Sequence, residues 1–192
     1  DYQYGATIGG PIVKNKAFFI LNYELTERQG PSSYNVGGPG SAMTLAEGQQ
    51  IVNQLKTKYG YDPGSYLGAY NVFTKSDKLF GRLDFNLNKN SILTIRWIYT
   101  NGSGNNLERS STNFQFGSTD FTQYTKNLNL TAELKTKISS SVNNQFNISY
   151  INVHEYRDFP QPIAPYIDID NGRITLGTWR EASIYNLKQQ TL

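Results

Sequence analysis

Residues 79 to 88 read LFGRLDFNLN, and this stretch decides the fold class. Leucine, glycine and phenylalanine occupy every second position, and charged or amide side chains fill most positions between them. Successive side chains of a β-strand point to opposite faces, so this alternation predicts a strand with one apolar and one polar face. About ten residues is also the length that a tilted strand needs to cross a bilayer.

The same alternation recurs along the chain and predicts neighbouring strands. Residues 93 to 99 place Leu93, Ile95, Trp97 and Tyr99 on one face, with Ile98 as an exception. Comparable segments occur near 2–12, 17–27, 127–135 and 142–150, and a seventh strand is predicted to begin near Ile184. The chain is therefore predicted to be all-β, an antiparallel up-and-down transmembrane β-barrel segment of about seven strands.

The connections between these strands alternate in length. Short turns follow strands one, three and five, whereas strands two, four and six are followed by long segments at about 28–76, 101–120 and 157–183. Outer-membrane barrels have short periplasmic turns and long extracellular loops, so the three long segments are predicted to be extracellular loops. The first contains one short helix, because Thr44 and Glu47 form a capping box and Gly60 can end a helix.

Composition excludes several classes of protein. Only 17% of residues are charged, mean hydropathy is −0.53, and the 14 Tyr and 10 Phe residues argue against disorder. No run of 18 apolar residues predicts a membrane-spanning helix. A net charge of +3 is too small to indicate nucleic-acid binding, and the absence of cysteine excludes disulfides.

Catalytic and metal-binding patterns find little support, so the chain is predicted to be non-enzymatic, with no cofactor and no metal. The single histidine, His154, has only Glu155 beside it and lacks a set of metal ligands. Ser140 and Ser141 have no base nearby in sequence. The segment 168–172 fits either a tight turn or a partial calcium loop, and the sequence leaves both open.

Two groups of residues are candidates for contact with a substrate. The first consists of charged residues on the polar strand faces, which are expected to point into the barrel lumen: Arg82, Asp84, Arg96, Glu133 and Lys135. They could equally pair with neighbouring strands or with a plug. The second consists of loop aromatic residues that could stack on a glycan or peptide: Tyr61, Tyr66, Tyr70, Phe114 and Phe116.

A third group of aromatic residues occurs in the strands themselves. Such side chains suit the girdles at the two membrane interfaces. These residues are Tyr2, Tyr23, Trp97, Tyr99 and Tyr150.

Four segments resemble the barrel of TonB-dependent outer-membrane receptors, in particular the Oar-like group that carries a carboxypeptidase-regulatory-like domain. They are 4–12 (YGATIGGPI), 15–24 (NKAFFILNYE), 55–64 (LKTKYGYDPG) and 77–85 (DKLFGRLDF). The loop sequences are similar to those of Bacteroidota proteins. The resemblance implies a larger barrel of about 22 strands with a plugged lumen.

The resemblance also implies energised uptake of a nutrient such as a glycan, peptide or chelate. The implied partners are outer-membrane lipid, the remaining strands and plug of the parent protein, the TonB complex through that plug, and a surface lipoprotein. Neither a plug nor a TonB box is found in these residues, so we expect the chain to be a fragment of a receptor. The alternative is a soluble or surface-anchored all-β carbohydrate-binding or adhesin module, which would need a second sheet over its apolar face.

Overall fold

A computed structural model describes residues 1–178 and 185–192 of the chain. The predicted start of a strand at Ile184 lies outside these residues. The described elements, in chain order, are β1 (Tyr2–Val13), β2 (Ala17–Pro31), α1 (Leu45–Tyr59), β3 (Asn71–Asn88), β4 (Ser91–Asn105), β5 (Phe114–Gln115), a 3-10 helix (Gly117–Thr119), β6 (Thr122–Lys137), β7 (Asn143–Asp158), β8 (Ile167–Ile169), β9 (Ile174–Leu176) and β10 (Asn186–Thr191).

Seven of the strands form one open sheet in the order β1-β2-β3-β4-β6-β7-β10, and every neighbouring pair is antiparallel. This is the predicted up-and-down meander. The predicted helix is also confirmed as α1, which lies in the connection between β2 and β3. The short strands β5, β8 and β9 form a separate small sheet.

The register of the large sheet places the apolar residues of successive strands on one face. Leu21 lies opposite Gly81, Gly81 opposite Trp97, and Trp97 opposite Leu130. Partners that face each other across an antiparallel pair share a side of the sheet. The apolar face remains uncovered, since Ile8 is 63% exposed and Phe146 is 57% exposed. The described residues supply no second sheet to bury it, as the soluble alternative would require.

The apolar face has the height expected of a lipid-facing band. On β3 it runs from Leu79 to Leu87, which is about 26 Å along a strand that rises ~3.3 Å per residue. Outer-membrane barrels carry an apolar band about 25 Å tall. In the described part of the chain, no helix is long and apolar enough to cross a membrane.

The strands continue farther toward the long-loop end than the sequence pattern indicates. β2 reaches Pro31 and β3 begins at Asn71, both inside the loop predicted for 28–76. In the same way, β4 continues to Asn105 and β7 to Asp158. Beyond the band, polar residues occupy both faces and the alternation disappears, although the backbone ladder goes on. The predicted loop boundaries were therefore wrong by a few residues at these strand ends.

One close contact within the apolar face depends on a glycine. The indole of Trp97 covers Gly81 so tightly that a Cβ atom built on Gly81 would lie 1.9 Å from the Trp97 ring. The side chain of Trp97 therefore fills the space that any larger residue at position 81 would need. Such pairing of an aromatic ring with a cross-strand glycine helps to define strand register.

We predict that Gly81→Ala destabilises the barrel because the indole must leave its position. Overpacking of this kind costs about 1–3 kcal/mol. The matched control is Gly102→Ala in β4, where the nearest atom to a new Cβ is 3.7 Å away. Urea unfolding of the full-length protein in detergent, followed by electrophoretic mobility, measures both variants. Equal stability of the two variants would contradict the proposed fit of Trp97 over Gly81.

Candidate functional site: a loop cap at one end of the barrel wall

The three long connections fold together into one compact unit, which we call the loop cap and define as residues 32–70, 106–121 and 159–178. Its core is formed by buried side chains from all three segments. These are Met43, Val52, Phe114, Phe116, Ile174 and Leu176. The large sheet buries little apolar surface, so the main hydrophobic core of the described residues lies in this cap.

Helix α1 supplies one side of the cap. The Thr44 hydroxyl accepts a hydrogen bond from the Glu47 amide, and the Glu47 side chain accepts one from the Thr44 amide, as the capping box predicts. Gly60 ends the helix in a left-handed conformation with φ of 64°. Within the helix, Gly48 packs closely against Met43 and the ring of Tyr66, since an added Cβ would lie 3.0 Å from each.

Backbone hydrogen bonds join the three segments of the cap. Strand β5 pairs in parallel with β9, so that the second segment extends the hairpin of the third. The Gly117 amide donates to the Ser65 carbonyl at 2.8 Å, and the Ser118 amide donates to the Pro63 carbonyl at 2.9 Å. These bonds tie the second segment to the first. The loops are therefore parts of one folded structure.

An ion pair connects the third segment to helix α1. The Arg173 guanidinium donates to Glu47 Oε1 at 2.5 Å, to the Ala42 carbonyl at 2.8 Å and to Asp170 Oδ2 at 2.6 Å. The hydrogen bond from Arg173 holds the pKa of the Glu47 carboxyl below its usual value. Glu47 thus both caps its helix and anchors a segment more than one hundred residues away.

The turn that carries Arg173 is the segment that the sequence left open between a tight turn and a calcium loop. Asp170 and Asn171 have positive φ angles of 59° and 54°, and Gly172 follows with φ of 87°. The Gly172 amide donates to Asp168 Oδ1. In this structure the segment forms the tight turn between β8 and β9.

A buried polar contact joins the cap to the top of the barrel wall. The Tyr70 hydroxyl donates to Asp120 Oδ2, and the Asn105 amide donates to the Tyr70 hydroxyl at 2.7 Å. The Asn106 amide also donates to Asp120 at 3.1 Å. Burial raises the pKa of Asp120 and also raises that of Tyr70. The position of the cap on the wall therefore depends on hydrogen bonds between polar groups that would be costly to bury without partners.

An open cavity of about 670 Å³ lies between the cap and the wall. Polar side chains from the first two segments and from β9 line much of it. They include Tyr34, Glu108, Arg109, Asn113, Gln115 and Thr175.

Arg109 is the most unusual group in the wall of this cavity. The residue is only 9% exposed, and its guanidinium lies 4.3 Å from the centre of the Phe114 ring. It donates to the carbonyls of Gln115 at 3.2 Å and Ser65 at 3.3 Å. No carboxylate of the described residues forms an ion pair with it.

Two residues that line the cavity each carry a buried polar atom without a hydrogen-bond partner. These atoms are Arg109 Nη1 and Thr175 Oγ1. Burial lowers the pKa of Arg109 to about 10, so the side chain still carries its charge at neutral pH. An unpaired buried cation is unfavourable, and an anion in the cavity would stabilise it.

Four of the loop aromatic residues expected to stack on a ligand lie in or against the hydrophobic core of the cap. Phe114 and Phe116 are fully buried in the core of the cap and leave no face open. Tyr66 packs on Phe116 with ring centres 5.6 Å apart, and Tyr61 is partly buried against the same core. The three loops need a core of their own outside the membrane, and these rings supply it. Stacking on a ligand is thus excluded for Phe114 and Phe116 in this structure.

The predicted lumen-facing residues do lie together on the polar face of the wall. Arg82 pairs with Asp84 at 2.8 Å, and Asp84 also accepts from the Thr94 hydroxyl at 2.7 Å. Glu133 pairs with Lys135 at 3.1 Å and with Arg96 at 3.7 Å. Each charged candidate thus has an opposite charge on its own or a neighbouring strand. This arrangement fits pairing within the wall, one of the two roles that the sequence leaves open.

The sequence reasoning missed Arg109, Asp120 and Arg173. All three lie in irregular segments, where no periodic pattern reveals which side chains become buried. Of the predicted girdle residues, Tyr23 and Tyr99 both lie opposite Leu79 at the upper part of the apolar face. Trp97 lies nearer the middle of that face, opposite Gly81.

Comparison with protein families gave one match. The model of a family described as outer membrane beta barrel domain matches residues 1–69, which comprise β1, β2 and the first segment of the cap with α1. Comparisons with curated proteins and with solved structures found no match.

The fold and this match define the class of protein. The chain is a segment of an outer-membrane β-barrel with an open, single-layered wall. It is located in the bacterial outer membrane.

We predict that Phe116→Ala unfolds the loop cap and leaves the barrel wall intact. Removing a fully buried phenylalanine costs about 3–5 kcal/mol, and the wall does not depend on this side chain. Hydrogen exchange of the full-length protein, read by mass spectrometry, should show faster exchange in 106–121 and 159–178 and unchanged exchange in β3 and β4. Tyr59→Ala is the control, because Tyr59 is 76% exposed on the same cap. Unchanged exchange in the Phe116 variant would contradict a single cooperative cap.

Proposed function

We propose that this barrel segment belongs to a TonB-dependent receptor that imports a nutrient through the outer membrane. The observation that carries the proposal is the loop cap, in which three loops above one end of the wall share one hydrophobic core. A folded structure over the barrel mouth suits the recognition of a specific ligand, whereas an open diffusion pore needs an unobstructed entrance. The resemblance of the segments in β1, β2, α1 and β3 to such receptors supports the same proposal.

The polar face of the wall is consistent with a plugged lumen. Arg82 pairs with Asp84, and Arg96 and Lys135 share Glu133, so the face does not present a field of one sign. We propose that the other partners are the remaining strands, a plug that contacts TonB, and a surface lipoprotein. No nucleic acid and no catalytic step enter this proposal.

The full-length protein, reconstituted in planar bilayers, tests the proposal. A plugged receptor should pass almost no ion current until moderate urea unfolds its plug, whereas an open porin should conduct at once. In parallel, the plug should bind the periplasmic domain of TonB in a pull-down experiment, with a plug lacking its N-terminal segment as control. Immediate conductance together with no TonB binding would contradict the assignment as a receptor.

We further propose that the ligand places an anionic group, specifically a carboxylate, in the cavity at Arg109. The charge of Arg109 has no ion-pair partner among the described residues, and Thr175, whose buried hydroxyl also lacks a hydrogen-bond partner, lines the same space. The volume of about 670 Å³ suits a group as large as a sugar unit or the end of a peptide. Glu108 also lines the cavity and is exposed, so a ligand that carries an amine as well as a carboxylate can be accepted.

Binding to the full-length protein in detergent can separate these ligands. The probes are a uronate oligosaccharide and its methyl ester, and a tetrapeptide with a free carboxyl terminus and its amide. We predict that Arg109→Gln weakens binding of the carboxylate form at least tenfold, as expected for the loss of a charge-assisted hydrogen bond. Arg109→Lys should keep part of the affinity because it keeps the charge.

The control for Arg109 is Lys58→Gln, which removes one positive charge from an exposed site on α1. Hydrogen exchange of the cap should be measured in every variant, because Arg109 also bonds the Ser65 and Gln115 carbonyls. Equal affinity of the wild type for each probe and its neutral form would show that Arg109 has only a structural role.

A further inference from the structure

The outer side of the wall carries a row of basic residues immediately beyond the apolar band. Lys126 in β6 lies directly opposite His154 in β7, and His154 lies directly opposite Lys188 in β10. Side chains in such positions have Cβ atoms about 4.5–5.5 Å apart. We call these three residues the basic row.

The register shows that the basic row faces the lipid side. Lys126 is two residues from Leu128 along β6, and Leu128 lies opposite Tyr99 on the apolar face. His154 follows Phe146, Ile148 and Tyr150 at even spacing on the same side of β7. The row thus begins about 7 Å beyond the last leucine of the band, which is the level of lipid headgroups.

The basic row lacks acidic partners in the structure. Neither lysine forms an ion pair with a described residue. Among acidic residues of the same face, Glu27 pairs with Lys75 at 2.8 Å and Asp77 accepts from the Tyr23 hydroxyl at 2.6 Å. Asp158 is also on this face of β7, four residues beyond His154.

Lys126 and Lys188 lie on either side of His154, whose Nε2 is 3.1 Å from Asn186 Oδ1, and no carboxylate of the described residues lies between the two lysines to balance their charges. The arrangement therefore calls for a negatively charged group from outside the wall.

Aromatic and amide side chains next to the row provide contacts of a different kind. Tyr124 and Tyr156 stack with ring centres 4.9 Å apart, and Lys126 Nζ lies 5.9 Å from the centre of the Tyr156 ring. A shallow groove of about 460 Å³ runs between β7 and β10. It is lined by Asn152, His154, Lys188 and Gln190. Aromatic rings and amides suit a sugar, and the lysines suit a phosphate.

The row lies at the same end of the wall as the loop cap, because β6 enters the sheet from the cap and β7 leaves toward it. Long loops mark the extracellular end of outer-membrane barrels. The groups that meet the row are therefore the headgroups of the outer leaflet.

From this position and chemistry we propose that the basic row binds the phosphorylated sugar headgroup of an outer-leaflet lipid. The phosphate lies between Lys126 and Lys188, and the sugar lies along the Asn152–Gln190 groove. This site is on the outside of the wall and does not depend on the proposed transport activity.

The test measures binding of lipid A to the full-length protein in a neutral detergent by native mass spectrometry. Three lipids are compared, namely bisphosphorylated lipid A, its monophosphorylated form and a neutral glycolipid with similar acyl chains. We expect affinity to fall in that order and to fall with salt, because the attraction is between charges. For the double variant Lys126→Gln, Lys188→Gln we expect binding of bisphosphorylated lipid A to weaken about 30-fold.

The matched control is Lys56→Gln, Lys58→Gln on α1, which removes the same charge from the cap and should leave lipid binding unchanged. Both double variants replace exposed side chains, and heat-modifiable electrophoretic mobility shows whether each barrel is folded. The proposal is overturned if the Lys126, Lys188 variant binds lipid A as tightly as the wild type. It is also overturned if the neutral glycolipid binds the wild type as well as lipid A does.

Discussion

The structure depends on one constraint, which is that backbone amides and carbonyls inside a lipid bilayer must bond to one another because water is not available. A continuous antiparallel ladder meets this requirement between β1 and β10, and in the described residues only the outer edges of these two strands lack a neighbour. Once the ladder exists, side chains alternate between lipid and lumen, and each face must suit its own surroundings. Apolar residues cover one face, while charges of the other face form ion pairs such as Arg82 with Asp84.

The loop cap follows a different rule because it lies beyond the membrane. Water surrounds it, so its loops gain stability by burying apolar side chains in a core of the usual kind. Phe114 and Phe116 are central to that core. Polar groups then connect the cap to the wall, and Tyr70, Asn105 and Asp120 form the clearest example. The same chain thus combines a wall that exposes its apolar residues with a cap that buries them.

The boundary between these two regions is also where the functional features occur. The cavity at Arg109 lies between cap and wall, and the basic row lies where the apolar band ends. The buried charge of Arg109 is unfavourable without a partner, whereas Lys126 and Lys188 are exposed and form no ion pair with a described residue. On the polar face, in contrast, every charged candidate residue has an oppositely charged partner. This pairing fits a structural role for these residues.

Much of the wall could be predicted from the sequence because strand alternation is a local property. The alternation in 79–88 correctly assigned Arg82 and Asp84 to the polar face, and the capping box at Thr44 correctly located the start of α1. The ends of the strands could not be located in this way. Above the bilayer both faces meet water, so the pattern disappears although hydrogen bonding continues to Pro31 and Asn105.

By itself, the sequence determined the class of fold, the faces of the strands and the helix in the first loop. Only the tertiary structure decided which loop residues are buried and which side chains they contact. Arg173 meets Glu47 across 126 positions of sequence, and the burial of Arg109 depends on segments that approach from separate hairpins. Such contacts arise from the packing of irregular segments, in which no repeating geometry relates a residue's position in the chain to the side that it presents.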